Sequence, residues 1–453
     1  MKKVWKVMAW AGLGLLTVVV VILVTAVALV DSSPYQSQEF YQSTLQAVDQ
    51  AKVLASRPGD TLRAGWGKVN LTPTRPVPLA GYAERAGKLS QGVRDSVFAR
   101  AVVLQQGPLK VAVVSLDLLI VPPTVAQKAE FLLLGLGYGP GQLYWGATHT
   151  HNSLGGWGEK LIGEYFAGAY DQALVDQVAL AAVQAVRRAE QRLAPATLAH
   201  GKVEAGDLVY NRLVPQGREY PWAHLVQVRT STGQTALLTT FTAHATCWSG
   251  DKMFVSNDYP GRLMANLEQR PDVDFALFMA GAVGSHGPEE APSGDDQAQV
   301  QFLADSLAQK IGRGLPSLAP VPQPTLACAA APLYLREPQV RLTQNWRVRP
   351  WVFHALYGGY PARLSVLRLG PVVLVGLPCD FSGELVPALA DSLVAQRRQL
   401  AVTSFNGGYV GYITPDGYYN HLDAYETRTM NWFGPGNAGY FGEMALRLVG
   451  RLP

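Results

Sequence analysis

Histidine is scarce in this chain, with 8 among 453 residues, and its placement carries the first chemical signal. Apolar, strand-like runs end in His149-Thr150-His151, in His244 of "FTAHATC", and in Ser285-His286 of "GAVGSHGP". Two further runs end in Asp380, after "VVLVGLPC", and in Tyr412 of "GGYVGYITP". In a strand, residues i and i+2 face the same way, so His149 and His151 are expected to reach one ion or one substrate atom. Zinc takes about four N, O or S ligands, and a catalytic zinc keeps one place for water. A pair of hydrogen-bonded core histidines is the competing reading, and the motif alone leaves both open. His244 by itself reads more simply as a satisfied buried histidine. Asp380 is either a charge favoured by a following helix N-terminus or a ligand. Tyr409, Tyr412, Tyr418, Tyr419 and Tyr425 crowd one Gly-rich stretch, where packing is their ordinary role.

Strands must bring these residues together. Alternating or continuous apolar runs predict strands at 67–71, 98–106, 110–121, 142–149, 224–230, 236–246, 275–281, 363–370 and 372–378. Helical periodicity predicts helices at 124–136, 170–192, 259–269, 297–313 and 382–399, the last with Ser382 as N-cap. Some strands follow each other as hairpins and others alternate with helices. The expected fold is therefore α+β, with mixed or antiparallel sheets packed together and flanked by helices.

Composition bounds the rest. The chain is 48% apolar and 16% charged, which suits a large globular core. A net charge of +4, with no dense basic run beyond the N-terminus, argues against nucleic-acid binding. Three scattered cysteines, Cys247, Cys328 and Cys379, make neither a disulfide framework nor a C-x-x-C zinc site. Lys2, Lys3 and Lys6 precede an uncharged run from Val7 to Val30. That run is long enough to cross a hydrocarbon core of roughly 30 Å, with the basic end inside and the body on the extracytoplasmic side. The division expected is a signal-anchor helix at 1–31, a juxtamembrane helix and linker at 32–60, and a catalytic domain at 61–453. Cleavage after Ala26-Val27-Ala28 is the alternative, and it would give a secreted protein.

Taken together, the motifs resemble one family, the neutral/alkaline (non-lysosomal) ceramidases. The likeness runs from "AGWGKVNLTPTRPVPLAGYAERA" through "RDSVFARAVVL", "VVSLDL", "ATHTHNSLGG", "YNR" and "AHAT…VSNDYPG" to "MAGAVGSHGP", "GLPCDFSGEL" and "YVGYITPDGYYNHLDAYE". It covers residues of about 64 to 445, and the order of the pieces carries it more than any one of them.

The resemblance implies an amidohydrolase holding one Zn²⁺, which splits the N-acyl bond of ceramide or a similar lipid. It implies His149, His244, Asp380 and Tyr412 as metal ligands, with Asp380 standing where the family has Glu. It implies that His151, Arg212 and Tyr425 hold the substrate and stabilise the reacting carbonyl. Asp380 is then the first candidate for the base that takes a proton from water, and His151 the second. The family's serine aligns most simply with Gly284, a one-residue slip puts Ser285 in its role instead, and Ser285 and His286 are expected to contact substrate. Trp157, with Trp145, Trp248, Trp351 and Trp432, is expected to line an acyl or sphingoid groove, against the alternative of ordinary core aromatics. The resemblance also implies a catalytic domain without the family's C-terminal sandwich domain. Another amide or ester as substrate, or an inert lipid-binding envelope protein, are the alternatives.

Overall fold

The computed structural model describes residues 2–292 and 294–453. Its frame is a nine-stranded sheet and a five-stranded sheet packed face to face, each with helices on its outer face. Strand parity explains how one sequence serves two cores. In Phe98–Gln106 and Leu109–Leu116, Val102, Leu104, Val111 and Val113 point between the sheets, while Ala101, Val103, Ala112 and Val114 point to the helices. In the smaller sheet Cys328, Leu367 and Leu374 face the large sheet, while Ala329, Val366 and Val375 face the other way. Strands buried on both faces read as continuous apolar runs.

The large sheet runs in space through Phe275–Ala280, Thr235–Phe241, Trp222–Thr230, Ala194–Glu204, Leu62–Asn70, Phe98–Gln106, Leu109–Leu116 and Leu143–Ala147. Ala319–Val321 also pairs with Ala194–Glu204. Most neighbours are antiparallel, but each end carries a parallel pair. The sheet curls until its two end strands approach. A Cβ on Gly146 would lie 2.5 Å from the Met279 side chain, and Ser115 Oγ donates to Phe278 O at 2.5 Å. Because of this curl, loops that leave the two ends of one sheet face each other.

The helices Pro123–Leu134, Gln172–Glu190, Asp258–Glu268 and Asp296–Gly314 cover the large sheet. Glu39–Asp49, Val386–Val394 and Asn437–Gly450 cover the small one. The small sheet, in the order Leu54–Ala55, Leu326–Pro332, Arg363–Leu369, Val372–Gly376 and Gln399–Thr403, ends in a parallel pair at the same edge as the functional loops. There Tyr144 Oη meets Thr403 Oγ1 at 2.7 Å, Asn406 Nδ2 donates to Trp145 O at 2.6 Å, and Ser404 N donates to Ala280 O at 3.0 Å.

Several predicted elements are shorter than expected. The strands predicted to reach Val121, His149 and Thr246 stop at Leu116, Ala147 and Phe241. His149 lies beyond its strand with φ +64°, so the two-residue alternation of a strand is not what aligns it with His151. The helix predicted at 382–399 begins as one tight turn, Gly383–Leu385, and its α-helical part ends at Val394. Ser382 makes no side-chain cap there, because its hydroxyl donates to Ser285 Oγ at 2.7 Å. The juxtamembrane helix expected within 32–60 runs from Glu39 to Asp49, and it buries Tyr41, Thr44 and Val48 against the body.

Candidate active site

The polar residues singled out in the sequence converge at the carboxyl ends of the parallel strand pairs. His149 and His151 leave Leu143–Ala147, His244 leaves Thr235–Phe241, and Asp380 follows Val372–Gly376. His149 Nε2 lies 2.7 Å from His244 Nε2 and 3.3 Å from His151 Nε2. Ligand atoms of the three rings all fall within 4.8 Å of one another. Phe405 stacks on His149 with ring centroids 4.1 Å apart and planes 14° apart. Both residues have left-handed backbone, at φ +63° and +64°, a conformation that costs a non-glycine residue about 1 kcal/mol or more.

Second contacts fix the tautomers. His149 Nδ1 is 2.6 Å from Leu119 O, and His244 Nδ1 is 3.3 Å from Val283 O. A carbonyl only accepts, so both Nδ1 atoms carry the proton, and both Nε2 atoms present lone pairs to each other. Two lone pairs at 2.7 Å repel unless a positive centre lies beside them. A proton is a poor candidate, because burial pushes His149 down to about 3 and His244 well below the usual imidazole range. A metal cation fits the donor set. Tetrahedral Zn–N bonds set ligand nitrogens about 3.3 Å apart. His149 and His244 need to separate by roughly 0.6 Å.

Asp380 supplies negative charge at the edge of this trio, with Oδ1 3.6 Å from His149 Nε2. Its Oδ2 accepts from Tyr409 Oη at 2.7 Å, while Oδ1 is buried and has no hydrogen-bond partner among the described residues. An orphaned buried carboxylate oxygen aimed at imidazole lone pairs is a second sign that a cation belongs there. Burial pushes the Asp380 carboxyl up to about 7, against the opposing pull of its Tyr409 bond and Arg212. Tyr412 faces Asp380 across a two-residue parallel bridge, Asp380–Phe381 beside Tyr412–Ile413.

Arg212 forms the other wall. Burial opposes its charge, but Tyr412, Tyr425 and Glu426 hold the guanidinium firmly protonated. It donates to Tyr412 Oη and Tyr425 Oη, each at 3.1 Å, and to Gly284 O at 3.1 Å, and Glu426 lies 3.4 Å away. Tyr425 is 49% exposed, which puts it at the mouth. His151 differs from its neighbours in that Nδ1 has no hydrogen-bond partner among the described residues. Tyr82 packs on its ring at 4.9 Å. Gly81, at φ +126°, presses so close that a Cβ there would stand 2.8 Å from the His151 side chain.

Ser285 and His286 are fully buried beneath these groups. His286 Nε2 accepts from Tyr220 N at 2.9 Å, so the imidazole proton sits on Nδ1, 2.8 Å from Ser285 Oγ. The histidine therefore donates to the serine and is in the wrong tautomer to take its proton. Burial also pushes His286 down to about 4. Trp157 is half-buried, packs on the main core and donates to Leu154 O at 2.9 Å. Trp145 is a core residue that donates to Glu130 at 2.9 Å, and Trp248 is buried and bonded to Ser256 at 3.1 Å.

Sequence reasoning left Tyr409 among packing tyrosines, and it passed over Glu426 and Phe405. The signal for Tyr409 was its place in a run that already held Tyr412. Nothing local marks Phe405 as the platform for His149.

Residues 63–286 match the model of the neutral/alkaline non-lysosomal ceramidase, N-terminal. The fold is similar to that of neutral ceramidase from Pseudomonas aeruginosa, with a TM-score of 0.77 at 18% identity, over 87% of this chain and 75% of that one. It is also similar to the structure of a ceramidase complexed with C2, with a TM-score of 0.75 at 18% identity, over 87% and 76%.

Proposed function

Given that this chain belongs to the neutral/alkaline non-lysosomal ceramidase family, we propose that it is a zinc-dependent amidohydrolase that cleaves the N-acyl bond of ceramide or a similar N-acylated lipid. The observation that carries this reading is the pair of imidazole lone pairs held face to face, His149 Nε2 and His244 Nε2, with the unpartnered Asp380 oxygen beside them. His149, His244, Asp380 and Tyr412 would hold the ion, which supplies Lewis acidity and brings the pKa of a bound water to ~7.

The chain's own residues do the rest. Asp380 takes the proton of the attacking water, with its Oδ2 held by Tyr409. Arg212 and Tyr425 stand at the mouth as fixed donors for charge that develops on the carbonyl oxygen. Donors already held in place by Tyr412, Glu426 and Gly284 O need no reorganisation when that charge forms. The proton that Asp380 takes returns to the leaving amine, and His151, whose Nδ1 has no partner among the described residues, is the side chain that relays it.

The apolar helix Lys3–Ala26, with mean hydropathy 2.7, is the reading's link to the membrane. We assign it as an uncleaved signal anchor, residues 1–31, that leads through residues 32–60 to a catalytic domain at 61–453 on the extracytoplasmic side. A mature N-terminus that still carries residues 1–28 supports the anchor, and one that begins after Ala28 refutes it.

The test of the activity is metal content together with turnover. Purified protein should hold stoichiometric zinc and hydrolyse N-acylsphingosine, and His149→Ala and His244→Ala should each abolish both. Wild-type protein that binds no zinc and leaves every N-acyl lipid intact would sink the proposal. Zinc with hydrolysis of a different amide or ester would move the substrate and keep the site.

A further inference from the structure

The junction between the N-terminal helix and the body is not a tether. Directly after Ala26, Val27–Leu29 forms an antiparallel ladder with Trp346–Val348, pairing Val27 with Val348 and Leu29 with Trp346. Arg349 N donates to Ala26 O at 2.8 Å, Arg349 Nε to Val27 O at 3.0 Å, and Val30 N to Asn345 O at 2.9 Å. The indole of Trp351 donates to Thr25 O at 2.6 Å, inside the last turn of the helix itself. Arg336 then holds Asp31 and Ser33. From Thr25 to Ser33 the chain is bonded to the body with no unpaired stretch in which to pivot.

Length fixes where this seam lies. The uncharged part of this helix, residues 7–26, spans about 30 Å, the thickness of a hydrocarbon core. The last turn thus reaches the headgroup layer, and Leu29 lies within roughly 10 Å of it along an extended strand. Around this exit the body exposes large apolar side chains that a water-facing surface does not need: Leu29 at 61%, Leu342 at 54%, Trp346 at 48% and Trp351 at 57%. The helix of Trp351, Pro350–Tyr357, packs against Leu161–Ala167, which exposes Leu161 at 64% and Tyr165 at 49%. Tryptophan and tyrosine at a helix exit are the residues that favour the membrane–water interface.

We propose that this collar, made of Leu29, Leu342, Trp346, Trp351, Leu161 and Tyr165, seats the body directly on the bilayer that holds its own N-terminal helix. The inference rests on that helix being retained as an anchor. Its consequence is geometric. Leu161–Ala167 also packs against the turn Ala83–Arg85, and the neighbouring Tyr82 covers His151. The docked face therefore borders the rim of the active site, and a lipid substrate reaches that rim from the bilayer without crossing bulk water.

The test uses the full chain reconstituted in phosphatidylcholine vesicles. The native cysteines are buried, so Leu161→Cys or Thr232→Cys can be labelled with an environment-sensitive fluorophore. Thr232 lies in the exposed hairpin turn at the opposite end of the strand that leads to His244. Lipids carrying a quencher near the headgroup should quench the label at 161 about threefold more than at 232. Adding Trp346→Ala and Trp351→Ala should bring the two positions close to equal. Equal quenching at 161 and 232 in protein that still floats with the vesicles overturns docking and leaves the anchor standing. Protein that fails to float overturns the anchor, and the docking with it.

Discussion

Replacing Asp380 by Asn removes one negative charge and keeps the outline of the side chain. Asp380 Oδ1 lies 3.6 Å from His149 Nε2, in a place shielded from water. At an effective dielectric of ~20, two unit charges at that separation interact by about 4.6 kcal/mol. A divalent ion doubles the attraction, and the cost of keeping a carboxylate out of water returns several kcal/mol of it. What remains is near the single-charge figure, or about three decades in zinc affinity. Glu384 is the control, four residues away in the chain. Its carboxylate accepts from Tyr418 Oη at 2.5 Å and makes no ion pair with a histidine among the described residues. Glu384→Gln should change zinc affinity less than about threefold. Competition against a fluorescent zinc chelator gives both values, and circular dichroism confirms that both variants fold. Equal losses in the two variants, or less than about a tenfold loss in Asp380→Asn, would refute the assignment of Asp380 as a ligand.

Ser285→Ala should keep its turnover within about tenfold, because His286 is in the donor tautomer; a nucleophile would lose about 10⁴-fold or more. The same change should cost about 1–3 kcal/mol in denaturant unfolding, since it strips partners from buried His286 and Ser382. Gly81→Ala, forced into φ +126° and into contact with His151, should lower kcat far more than it raises KM for a soluble short-chain substrate. Asp258 gives a pH signature away from the site: burial raises its folded pKa from 3.8 to about 6. Its stabilising contribution is fully present below about 3.8 and is lost as pH rises through 6, by at most about 3 kcal/mol. Asp258→Asn should flatten that part of a stability-versus-pH curve, and an unchanged slope would count against the assignment.

The parts of this structure that the sequence revealed are those in which one periodicity dominates. Doubly buried strands such as Val372–Gly376, and the long helix Gln172–Glu190, are legible from their apolar pattern alone. Ala194–Glu204 is not, because its exposed Pro195, Thr197 and Lys202 interrupt the apolar pattern, yet it is a central strand of the large sheet. The candidate ligands were visible as polar residues at strand ends. Their convergence was not, because it depends on the curl that brings the sheet's end strands together, and curl has no local signature. Strand geometry predicts the His149–His151 pairing, whereas the structure achieves it with a left-handed residue beyond the strand.

The shorter carboxylate at 380 leads to one last prediction. The family resemblance puts a serine where this chain has Gly284 and a glutamate where it has Asp380, and the structure connects the two positions. Gly284 N donates to Phe381 O at 2.8 Å, and a Cβ on Gly284 would stand 2.6 Å from Asp380 O. Ordinary contact begins near 3.4 Å, so any side chain at 284 drives the Asp380 strand back by about 0.8 Å. A glutamate is longer than an aspartate by one methylene, about 1.5 Å. The glycine thus lets the backbone advance where the side chain has shortened. Gly284→Ser alone should withdraw the carboxylate and weaken zinc binding, and Asp380→Glu alone should overfill the space beside His149. The double variant should bind zinc better than the product of the two single losses predicts, with a favourable coupling of about 1–3 kcal/mol. Strictly additive losses would show that the two departures are independent and that the strand takes its position from other contacts.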